Sequence, residues 1–122
     1  RVDLQVAATN TGIAAGDVFV GIEDLYGSFL GDILLGDAGG NMIWGDAGND
    51  SLYGRLGNDT LLGGAGADTF VFDSALGAGN VDAISGYVVA DDIIHLENAI
   101  FTALAAGALS AGAFATGAAA SA

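Results

Sequence analysis

Large apolar residues stand at Leu25, Leu34, Ile43, Leu52, Leu61 and Phe70, a spacing of nine held five times in succession. Two positions before each stands an acid or its amide: Glu23, Asp32, Asn41, Asp50, Asp59 and Asp68. Seven positions before the last five stand Gly27, Gly36, Gly45, Gly54 and Gly63. Four positions before come Gly21, Gly39, Gly48, Gly57 and Gly66, with Leu30 the one departure. A register kept this long marks a repeat architecture, because one unit cannot bury its apolar residue alone.

Closely spaced glycines let the backbone take positive φ and turn its carbonyls inward. Six residues of turn then lead into three of strand, and only the middle side chain of the three points to the core. Two units make one coil of 18 residues with a strand on each side, so residues 18–71 supply three coils. At about 4.8 Å per stacked strand the roll is only ~14 Å long. Each coil offers two large inward side chains, far less burial than the ordering of its backbone demands. Units alternate sides, which stacks Asp32, Asp50 and Asp68 on one edge and Glu23, Asn41 and Asp59 on the other. Carboxylates one strand spacing apart repel unless a cation sits between them. Oxygen-only ligands in a flexible loop suit Ca²⁺ better than Zn²⁺ or copper. For a single unit, turn chemistry alone would explain an Asp among glycines; for four acids in register, metal is the better explanation.

Composition sharpens the picture. The chain has 122 residues, 2 basic against 15 acidic side chains, a formal net charge of −13 and no Cys. That length suits one small domain, and the charge disfavours nucleic acid and anionic membrane surfaces as partners. Without Cys there is no disulfide or thiolate site. At 52% hydrophobic and 14% charged residues the chain is not of the disordered class. Val2, Leu4 and Val6 alternate with Asp3 and Gln5, which predicts an entry strand in residues 1–17 continuing from a longer chain. Asp91 and Asp92 predict a hairpin turn between Ile84–Val89 and Ile93–Leu96, with His95 packed in its second strand. The uncharged stretch Asn98–Ala122 is too rich in Ala and Gly, and too poor in flanking Lys or Arg, for a membrane span. Its start reads as a short helix from Asn98 to Ala106, stopped by Gly107. No nucleophile elbow, metalloprotease helix motif or phosphate loop is found, so the chain is expected not to be an enzyme.

Gly45-Asp46-Ala47-Gly48-Asn49-Asp50-Ser51-Leu52-Tyr53, the unit 54–62 and Gly63-Gly64-Ala65-Gly66-Ala67-Asp68-Thr69-Phe70-Val71 follow Gly-Gly-x-Gly-x-Asp-x-apolar-x. This pattern, known as a calcium-binding repeat, resembles the repeats-in-toxin (RTX), or haemolysin-type, family. The resemblance implies an all-β, parallel β-roll, a right-handed β-solenoid of about three coils with a C-terminal hairpin and a short helical cap. It divides the chain into an entry strand (1–17), a calcium-binding roll (18–73) and a flanking cap (74–122) that precedes a secretion signal. It also implies about three to five Ca²⁺. One ion would lie between Asp32 and Asp50 with carbonyls of Gly27, Phe29, Asp46 and Gly48. A second would lie between Asp50 and Asp68 with those of Gly45, Ala47, Gly64 and Gly66. On the other edge Asp59 would pair with Asn41 and carbonyls of Gly36, Ala38, Arg55 and Gly57, a weaker site because an amide brings no charge. Asp59 has later alternatives in Asp82 and Asp73, and Glu23 with Asn41 is a further, longer-armed pair. The resemblance points to a secreted bacterial module that leaves by type I export and folds on external calcium. The alternative is a surface layer, filament or adhesin in which calcium joins copies.

Overall fold

The computed structural model describes residues 1–75 and 77–100. Among them nine short strands follow in order: β1 (Val2–Asp3), β2 (Asp24–Tyr26), β3 (Ile33–Leu35), β4 (Met42–Ala47), β5 (Ser51–Tyr53), β6 (Thr60–Ala65), β7 (Thr69–Phe72), β8 (Ala83–Ser85) and β9 (Ile93–Leu96). Odd and even strands separate into two sheets, β1-β3-β5-β7-β9 and β2-β4-β6-β8, and all pairings are parallel. The chain therefore winds from sheet to sheet as a roll.

Register makes the core. Leu34, Leu52 and Phe70 stack in one sheet and Leu25, Ile43 and Leu61 in the other. All six are buried, joined by Leu4, with Val2, Phe19, Phe72 and Ile84 packed against them. Their strand neighbours Ile33, Tyr26, Met42 and Trp44 point outward and are exposed, as the two-residue alternation of a strand requires. The rings of Tyr26 and Trp44 lie 5.6 Å apart on that outer face.

The sheets extend beyond residues 18–73, to β1 before them and to β8 and β9 after. β1 lies on β3, pairing Val2 with Leu34 and Asp3 with Leu35, and the chain reaches β2 through 3-10 turns at Ala7–Thr9 and Gly12–Ala14. The hairpin expected across Asp91 and Asp92 is absent: β8 pairs with β6 and β9 with β7, on opposite sheets. The reason is edge satisfaction. A parallel strand added to each sheet pairs the open N–H and C=O groups of β6 and β7, which a hairpin folded on itself would leave exposed. His95, expected to pack, is 55% exposed, because Ile94 takes the place opposite Phe70 and the next residue faces out. The expected helix lies outside the described residues from its fourth residue on. Among the described residues no helix is long and apolar enough to cross a membrane.

Gly66 shows how tightly the coils stack. It has φ +132°, and a methyl there would overlap the Gly48 carbonyl oxygen of the coil above. Gly79 has nothing within 4 Å of such a methyl. Gly66→Ala should therefore cost about 3 kcal/mol or more, as strain adds to overlap, whereas Gly79→Ala should stay within about 1 kcal/mol of the parent. Urea melts of the two variants, run side by side with the parent, check the difference.

Candidate metal centre

The turns, two of which take in the last three residues of β4 and of β6, form two edges. One stacks residues 27–32, 45–50, 63–68 and 86–92; the other stacks 36–41, 54–59 and 73–82. From residue 45 on, an acid near the end of each turn ties it to the coil before. Oδ1 of Asp50 accepts the Asp32 N–H at 2.8 Å, Oδ1 of Asp68 that of Asp50 at 3.0 Å, and Oδ1 of Asp92 that of Asp68 at 3.0 Å. On the second edge Asp59 Oδ1 accepts the Asn41 N–H at 2.8 Å and Asp82 Oδ1 the Asp59 N–H at 3.0 Å.

The other carboxylate oxygen distinguishes the middle of each column from its ends. At the ends it is satisfied by protein. Asp32 Oδ2 accepts the Ser28 N–H and hydroxyl at 2.7 and 2.8 Å, and Asp92 Oδ2 accepts the Val88 N–H at 2.7 Å. Asn41 uses Oδ1 for the Asp37 N–H and Nδ2 for the Ile22 carbonyl. In the middle, Oδ2 of Asp50, Asp59 and Asp68 is buried with no partner, in residues at most 2% exposed. An unpaired buried carboxylate oxygen carries the full desolvation cost of a charge. A cation bound to it removes that cost.

Backbone conformation sorts the turns in the same way. Asp46 and Gly48, Arg55 and Gly57, and Gly64 and Gly66 all have positive φ, at the second and fourth places of their turns. The turns 27–32 and 36–41 have none. Of the expected ligand sets, only that of Asp50 and Asp68 with Gly45, Ala47, Gly64 and Gly66 draws on two turns that share this conformation. Gly27 and Phe29 sit in a turn that lacks it, opposite the well-formed Asp46 and Gly48. On the second edge, with Asn41, Ala38 and Gly57, the Gly36 carbonyl accepts from Arg55 Nη1 at 2.8 Å and the Arg55 carbonyl accepts from the Ser74 hydroxyl. Glu23 is exposed. Asp73 has a buried Oδ1 without a partner, but it is Asp82 that reaches Asp59. No group of three acidic or His side chains converges among the described residues, so any ion here must draw most of its ligands from main-chain carbonyls, as Ca²⁺ readily does.

Asp92 in the column was not read from the sequence, nor were the lateral bonds of Asn49 and Asn58, whose Oδ1 atoms accept the Ala67 and Val81 N–H groups. A signal for Asp92 exists. Asp82-Ala83-Ile84 and Asp92-Ile93-Ile94 repeat the acid two places before an inward residue, but intervals of 23 and 24 residues to the paired acids replace 18.

The electrostatics follow from this crowding. Burial pushes the Asp59 carboxyl from 3.8 up to about 6, helped by the charges of Asp82 and Asp37 and opposed by the Asn41 N–H. Asp50 and Asp82 are raised as well, each chiefly by burial. A carboxyl raised on folding favours the folded state below its unfolded pKa, and that contribution is lost as pH rises through the folded value. Without metal, the chain should thus lose stability as pH climbs from 3.8 to about 6. In chelator, the residual β signal should be larger near pH 4 than near pH 7, while calcium binding should weaken with acid as protons compete for the same oxygens.

A family profile described as RTX calcium-binding nonapeptide repeat (4 copies) matches residues 26–61 and, one unit further on, residues 35–70. No curated protein matches the chain. The matched stretch holds Asp32, Asn41, Asp50, Asp59 and Asp68, and with them all three carboxylates whose Oδ2 is buried without a partner. The chain thus carries, over residues 26–70, the calcium-binding nonapeptide repeats of the RTX family.

Proposed function

We propose that this chain is a calcium-dependent folding module of an exported bacterial protein, and that its work is cation binding rather than catalysis. The observation that carries this reading is the set of buried, unpartnered Oδ2 atoms on Asp50, Asp59 and Asp68. Asp50 and Asp68, with the carbonyls of Gly45, Ala47, Gly64 and Gly66, would hold one ion. Asp32 and Asp50 would hold a second with Gly27, Phe29, Asp46 and Gly48, and Asp59 with Asp82 a third. Calcium supplies charge neutralisation at these oxygens; the chain's own residues supply the cradle and its register. Three Ca²⁺ would bring the net charge from −13 to roughly −7. Before that, acidic turns repel across a thin core and the chain stays loose, which suits passage through a narrow type I export channel. Outside the cell, calcium closes the roll.

Circular dichroism with a calcium titration and a magnesium control tests the reading. The β signal should appear cooperatively, with a midpoint on the order of 10⁻⁴–10⁻³ M typical of extracellular modules, and chelator should abolish it. A full β signal and an unchanged melting temperature in excess chelator would overturn it.

Ligand loss and core loss should separate at one coil. Leu52→Ala deletes an inward side chain at a cost of about 2–5 kcal/mol, and raised calcium should recover the fold by mass action. Asp50→Asn keeps the shape and an acceptor for the Asp32 N–H but removes charge from two proposed shells. It should need much more calcium and hold fewer ions. Urea melts at several calcium levels, with bound ions counted in parallel, check both outcomes.

A further inference from the structure

Arg55 lies in the second place of its turn, in a left-handed conformation (φ 73°) that an L side chain rarely adopts. Its guanidinium leaves its own turn and grips the first strand of the roll. Nη1 and Nη2 donate to Oδ1 and Oδ2 of Asp3, each at 2.8 Å, and Nη1 also donates to the Gly36 carbonyl at 2.8 Å. The Arg55 side chain is 17% exposed and that of Asp3 1%. Asp3 also accepts the N–H groups of Gln5 and Val6 and the Thr9 hydroxyl, at 3.0, 2.9 and 2.9 Å, with Arg1 more distant at 3.4 Å. Burial alone would push the Asp3 carboxyl up; Arg55, Val6, Thr9 and Gln5 outweigh it and hold the group well below the usual carboxylate range.

This is the arrangement of a cation shell, with a carboxylate and a turn carbonyl around a positive centre, and the centre belongs to the chain. On the same edge the donors that would surround an ion between turns 36–41 and 54–59 are engaged elsewhere. The Gly36 carbonyl is taken by the guanidinium, the Arg55 carbonyl by Ser74, and the Asn41 amide by Asp37 and Ile22. We propose that the Arg55 guanidinium is a built-in cation that replaces a metal ion at the amino-terminal step of this edge, locking β1 onto the roll. The lock stands on geometry alone; the claim that it replaces an ion rests on the calcium reading above. The consequence is a roll with unequal edges. Metal completes the column of Asp50 and Asp68, while in the closed roll β1 is held by a bidentate pair that needs no ion of its own.

Hydrogen exchange on the calcium-loaded full chain, with calcium counted by equilibrium dialysis, tests this. The Leu4 N–H, bonded to the Leu35 carbonyl, reports on β1, and the Ser51 and Thr69 N–H groups report on the calcium-bound coils. Asp3→Asn, a change outside the repeats, should speed Leu4 exchange on the order of a hundredfold, since it breaks a buried charge pair. Ser51, Thr69 and the calcium count should stay as in the parent, and added calcium should not restore Leu4. Arg55→Met should release Leu4 in the same way with an ion count no lower than the parent's. Retained protection of Leu4 in both variants, or loss of an ion in either, overturns the proposal. If Ser51 and Thr69 show no calcium dependence in the parent, it is the calcium reading that fails; if they do and Leu4 stays protected in both variants, only the lock fails.

Discussion

Everything in this fold turns on the second carboxylate oxygen of the stacked acids. Asp50, Asp59, Asp68, Asp82 and Asp92 each use one oxygen to bind the neighbouring coil, and in Asp50, Asp59 and Asp68 the other is carried into a place where water does not reach it. A buried charge must be paired, protonated or replaced, and the chain uses each of these answers. Asp32 and Asp92 are satisfied by N–H groups of their own turns. Asn41 replaces the charge with an amide, and Asp3 is paired with Arg55. Asp50, Asp59 and Asp68 have none of these partners, and for Asp59 and Asp50 burial favours the protonated form. A divalent cation is the remaining answer, and it is the one the RTX repeats supply.

The core itself is thin. Leu34, Ile43, Leu52, Leu61 and Phe70 are almost wholly buried, but each coil brings only two such side chains, little burial against the backbone it orders. The stacked turns add the coil-to-coil bonds accepted by Asp50, Asp59 and Asp68 to that core.

A stack of identical coils has no natural end, and its open edges must be closed. At the amino end β1 covers β3 and is tied down by Arg55. At the carboxyl end the chain abandons its nine-residue period but keeps its pairing. Tyr87 packs on Phe70 with ring centroids 6.1 Å apart and donates its hydroxyl to the Asp92 carbonyl, so the turn 86–92 is built around the same acid that continues the column.

The period alone determined the six inward residues, the acids or amide two places before them and the two edges on which these stack. These were legible because each repeated unit meets copies of itself, so one local conformation propagated by stacking accounts for all of them. Tertiary structure decided what lies outside the period. Turns of ten and seven residues hide β8, β9 and Asp92 from any fixed spacing, and only the open edges of β6 and β7 select their places. Arg55 and Asp3 are 52 residues apart, and nothing local to either foretells that they meet. Nor does spacing tell which carboxylate oxygen is satisfied and which is stranded. That depends on whether a turn bends an N–H toward it, a property of packed backbone in three dimensions rather than of residue order.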